Sequence, residues 1–86
     1  MEASHTFIIH LSNVNEDTKN LEDSLYEAGC TDALLKFQDG TVSLEFTRND
    51  KSFNSALMSA INDIESASIN AEIDYRRLWL DYFTKH

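Results

Sequence analysis

The chain has 86 residues, 15 acids against 7 bases and a formal net charge of -8. That length holds one domain with one core, and the charge sets it against nucleic acid phosphates while suiting it to a basic protein surface. A single cysteine excludes an internal disulfide and points to a reducing compartment, the cytoplasm of its own cell or of an infected host. Phe7, Ile9 and Leu11 alternate with Thr6, Ile8, His10 and Ser12, the period of a strand with one greasier face. Asn13 or Asn15 is placed to cap a first helix, with Glu16 and Asp17 at its positive end. Val14, Thr18, Leu21, Leu25 and Ala28 would form its inward stripe, and Glu16, Glu22, Asp23 and Glu27 its outer side. Gly29 stops it, because glycine tolerates the left-handed backbone of a C-terminal cap.

Ala33, Leu35 and Phe37 make the next inward set, with Leu34 and Lys36 on the other face. Asp39-Gly40 predicts a tight hairpin, after which Val42, Leu44 and Phe46 return as a third strand. Ser52 is placed to cap a second helix with Phe53, Ala56, Leu57, Ala60, Ile61, Ile64 and Ala67 as its buried stripe. Ile69, Ala71, Ile73 and Tyr75 then alternate with Asn70, Glu72, Asp74 and Arg76, which reads as a fourth strand. The order βαββαβ predicts an α+β, ferredoxin-like domain over residues 1–76: a four-stranded antiparallel sheet with two helices on one face. Residues 77–86 form a tail in which Leu78 and Tyr82, and Trp79 and Phe83, stand four apart. A short aromatic helix fits that spacing, either folded back on the sheet or offering Trp79, Tyr82 and Phe83 as an interface anchor.

The chemistry of sites points away from catalysis. His5, His10 and His86 lack mutual metal spacing, and with one cysteine no zinc set is expected. Cys30 follows a helix end whose dipole raises a thiol pKa, so it reads as a packing residue. Gly29 and Gly40 are the only glycines and make no phosphate loop. The expectation is no cofactor and no enzyme. No apolar run reaches the ~20 residues of a membrane span, and the N-terminus lacks a basic signal region. The open sheet face, with Ser43 and Glu45 on its middle strand, does not suit base stacking, so direct nucleic acid binding is not expected.

The runs Leu25-Tyr26-Glu27-Ala28-Gly29-Cys30-Thr31-Asp32-Ala33 and Gly40-Thr41-Val42-Ser43-Leu44-Glu45-Phe46-Thr47-Arg48, then Ser52 with residues 56–67, resemble a family of small prokaryotic helix-turn-helix regulators, some antitoxin-like. In that family this module precedes a DNA-binding helix pair. The likeness covers roughly Thr6 to Tyr75 and implies the fold and a protein-binding or dimerising role, since the matching residues are mostly cap, turn and core positions. The stretch after Tyr75 is too short for two helices and a turn, so DNA recognition is not expected to carry over.

These readings converge on a small acidic, non-enzymatic, protein-binding regulatory module. Its expected contacts are Glu16, Glu22, Asp23, Glu27, Trp79, Tyr82 and Phe83, with a partner of basic surface or a second copy of the chain. The alternative is an inhibitor of phage or mobile-element type, such as an anti-CRISPR protein, filling a basic nucleic-acid-binding groove. A small-molecule-sensing domain comes third.

Overall fold

The computed structural model describes residues 2–67, 69 and 71–82. Six elements follow in order: β1 (Ala3–Leu11), α1 (Leu21–Glu27), β2 (Ala33–Gln38), β3 (Thr41–Asp50), α2 (Phe53–Glu65) and α3 (Tyr75–Tyr82). The strands form one antiparallel sheet in the order β1-β3-β2. Every second residue of β1 and β3 faces the helices. Phe7, Ile9, Leu11, Val42, Leu44 and Phe46 are therefore buried against Leu21 and Leu25 of α1 and Ala56, Leu57, Ala60, Ile61 and Ile64 of α2. Removing each large side chain of that set from water stabilises the fold by roughly 1.5–3 kcal/mol. The Phe7 and Phe46 rings stack across the strand pair at 5.4 Å.

The hairpin forms where expected. Asp39 and Gly40 both take positive φ, 53° and 78°, the backbone of a type I′ turn matched to strand twist. Ser52 caps α2 as expected, its hydroxyl accepting the Ser55 N–H at 3.0 Å.

Two expectations are corrected. The first helix begins at Leu21 rather than beside Asn13 or Asn15. The Asn15 side chain accepts the Asp17 N–H at 2.8 Å, and the Thr18 hydroxyl accepts the Asn15 N–H at 3.0 Å. These local bonds offer the backbone an alternative to helix, and Asn20 at φ 60° delays the start further. Val14 is buried all the same, from a loop.

The second correction concerns the sheet, which has three strands and not the four of the ferredoxin-like arrangement. The stretch expected to form the fourth strand makes one antiparallel bridge, Leu11 to Ile73. The Ser12 N–H donates to the Glu72 carbonyl at 2.9 Å and the Asp74 N–H to the His10 carbonyl at 2.8 Å. There the strand pattern stops. Asp74, whose place in the alternation suited an outward strand residue, instead caps α3, its carboxylate accepting the Arg77 N–H at 3.1 Å. Tyr75 then opens the short aromatic helix rather than closing a strand. Asn70 lies outside the described residues.

Helix α3 lies along the outer edge of β1. Its Leu78 is buried in the core. At its start the Tyr75 hydroxyl donates to Glu65 at the end of α2, and at its close the Tyr82 ring meets Phe53 at the start of α2. The two helices therefore run in opposite directions, and α3 occupies the place expected of the last strand.

Candidate protein-docking surface

The polar side chain with the most partners sits inside the scaffold. Arg48 falls in phase with Val42, Leu44 and Phe46, so its stem enters from the core face of β3. Its Nε and Nη2 donate to the two Asp32 carboxylate oxygens, each at 2.8 Å. Nη1 donates to the Ser59 hydroxyl at 3.0 Å and pairs with Asp63 at 3.0 Å, while Nη2 also reaches the Gly29 carbonyl at 3.2 Å. The guanidinium uses its fork fully, joining the end of α1, the entry to β2 and the middle of α2. These hydrogen bonds hold the Asp32 carboxyl below the usual range and the Arg48 guanidinium above its own. Gly29 is required beside this cluster, because at φ 118° an added Cβ would come within 2.9 Å of the Asp63 carboxylate. Burial, aided by Asp63, pushes the neighbouring Cys30 thiol up to about 11, which favours its neutral form at physiological pH. The cluster clamps α1, β2 and α2 together.

Expected contact residues gather at the opposite end of α1. Glu16 comes from the loop before the helix, and Glu22 and Asp23 from its first turn. With Leu35 and Phe37 of β2 they line a cleft of about 370 Å³. A second cleft of about 290 Å³ continues past Phe37 along Asp17, Asp39 and the hairpin tip. No Lys or Arg among the described residues lines either one. Phe37 was expected to face inward, yet it is 47% exposed and opens on the cleft beside the first turn of α1. Glu27 closes α1, is exposed, and does not line these clefts.

The aromatic residues of α3 separate into different roles. Tyr82 is half-buried, and its hydroxyl accepts the Ile8 N–H at 2.7 Å, so it belongs to the scaffold. Trp79 is 57% exposed on the outer side. Phe83 lies outside the described residues.

On the sheet face away from α2, His10, Ser43, Gln38 and Arg77 line a cleft of about 300 Å³. The His10 Nδ1 has no hydrogen-bond partner among the described residues, and burial lowers the pKa of its ring. No three His, Cys, Asp or Glu side chains among the described residues are grouped to hold a metal ion. Nor is any described helix long and apolar enough to cross a membrane.

No protein-family model, curated protein or solved structure matches this chain.

Two features escape a reading of the sequence. Arg48 had a signal, since a base in phase with three apolar strand residues must find acids within the fold. Phe37 had none, because strand parity assigns a face but not what covers it.

Proposed function

We propose that this chain is a non-enzymatic protein-binding module that takes a basic surface of another protein at its α1 end. The observation carrying this reading is that Glu16, Glu22 and Asp23, from a loop and a helix turn, line one cleft with the exposed Phe37. Carboxylates around an exposed aromatic, with no Lys or Arg among the lining residues, give both steering and an anchor. The regulatory form proposed is an antitoxin-like or regulator-derived module. An inhibitor of anti-CRISPR type would use the same acids and differ in competing with nucleic acid for its target.

The test is the triple charge reversal of Glu16, Glu22 and Asp23 to lysine, compared with the native chain in affinity capture from the native host. The native chain should retain a basic partner in a salt-sensitive way, and the variant should lose it with its circular dichroism unchanged. If both retain the same proteins, the acidic end is not the docking surface.

A further inference from the structure

We infer that the outer edge of β2 is a docking groove for an extended segment of alternating basic and apolar residues, added to the sheet as a strand. This deepens the acidic-surface reading and rests on it.

In the antiparallel register, Gln38 opposes Thr41 across the two-residue turn and Leu34 opposes Glu45. Main-chain groups point alternately toward and away from the partner strand, so those of Ala33, Leu35 and Phe37 point outward. The Ala33 N–H turns back to the Cys30 carbonyl at 3.4 Å. For Leu35 and Phe37, no partner among the described residues meets the outward N–H or C=O. Such a row is a template for another strand. Natural edges are commonly protected by proline, bulges, charged side chains or a covering element; β2 has the regular run Ala33-Leu34-Leu35-Lys36-Phe37-Gln38, and its one charge, Lys36, lies on the face away from α1 and is paired with Glu45 at 3.0 Å.

Charge selects the occupant. A strand added here would place alternate side chains on the α1 side, against Glu22, Asp23 and Glu16, where lysine or arginine is favoured. Its other side chains would lie beside Leu34, 59% exposed, and Lys36, where apolar residues fit and bases do not. A second copy of this chain is disfavoured, because it would bring the same acids and another -8 of charge to the groove.

The probe is a blocked octapeptide of alternating lysine and valine, with a counterpart N-methylated at every second residue and an all-lysine octamer. Amide hydrogen exchange by NMR on the full chain gives the readout. The alternating peptide should slow exchange at Leu35 and Phe37 by about tenfold or more, and N-methylation should abolish the effect. Phe37→Pro, which deletes one outward N–H, should weaken binding well beyond Phe37→Ala, with circular dichroism confirming that both fold. Suppose the two lysine-valine peptides and the octamer bind alike through Glu16, Glu22 and Asp23 without protecting Leu35 and Phe37. Strand addition is then wrong and the acidic-surface reading survives. If none of the three peptides binds, both are overturned. Protection of those two amides by self-association, without peptide, overturns the proposal in favour of a second copy.

Discussion

The two edges of the sheet are treated in opposite ways. Along β1, the Ser12 N–H meets the Glu72 carbonyl, the His10 carbonyl takes the Asp74 N–H and the Ile8 N–H meets the Tyr82 hydroxyl, so α3 and the stretch before it cover part of what a fourth strand would have covered. Along β2, the equivalent groups of Leu35 and Phe37 meet no partner among the described residues, and acids flank them. A helix and a single bridge thus meet three main-chain groups of that edge without a fourth strand. The contrast shows that closing one edge is a folding matter, while leaving the other open is a property of the surface.

The largest change expected in this comparison comes from the clamp that secures the entry to β2. Arg48→Ala strands Asp32 and Asp63 without their cation and should cost about 3–5 kcal/mol in urea unfolding. Arg48→Lys should recover only part of it, since an ammonium cannot span both Asp32 oxygens. The pair also predicts a pH dependence. The Asp32 carboxyl lies below its ordinary value of 3.8 when folded, held there first by its hydrogen bonds to Arg48. Its contribution is therefore complete above the unfolded value and is lost as pH falls through the folded one. Acid titration of stability below about pH 4 should be shallower in Arg48→Ala than in the native chain.

On the β1 side, Leu78→Ala removes the buried anchor of α3 and should cost about 2–3 kcal/mol in thermal or urea unfolding. It should expose the β1 edge and raise aggregation at the same time. Tyr82→Phe deletes only the hydroxyl that meets Ile8, and about 1 kcal/mol is expected from the same measurements. The smallest effect belongs to the open edge. Leu34→Lys should change stability by no more than about 0.5 kcal/mol, because the side chain is exposed and adds a second charge to a strand with no outer neighbour. A large loss there would mean that β2 is already covered.

The sequence pattern showed the parts of this fold that local chemistry decides. Asp39-Gly40 permits only a few turns, Ser52 is a strong cap, and the apolar stripes of β1, β3 and α2 have unambiguous periods. It failed where two local readings compete. Asn13 and Asn15 look like caps but close turns instead, and the helix waits until Asn20 has passed through a left-handed backbone. Asp74 satisfies both strand alternation and helix capping, and the contacts of Leu78, Tyr75 and Tyr82 with distant elements decide between them. The candidate surface was half legible. Glu16, Glu22 and Asp23 were named from charge alone, whereas their assembly around Phe37 depends on how the elements pack, which no local pattern encodes. Tyr82, an aromatic at helical spacing, suited either a contact folded back on the sheet or an anchor for a partner, and its contacts with Ile8 and Phe53 are of the first kind.

Amide hydrogen exchange on the free chain tests the asymmetry of the edges most directly, comparing Ile8 and Ser12 of the β1 side with Leu35 and Phe37 of β2. Protection of Ile8 and Ser12 alongside rapid exchange at Leu35 and Phe37 is the predicted result. Equal protection at all four, or rapid exchange at Ile8 with protection at Leu35, would contradict it.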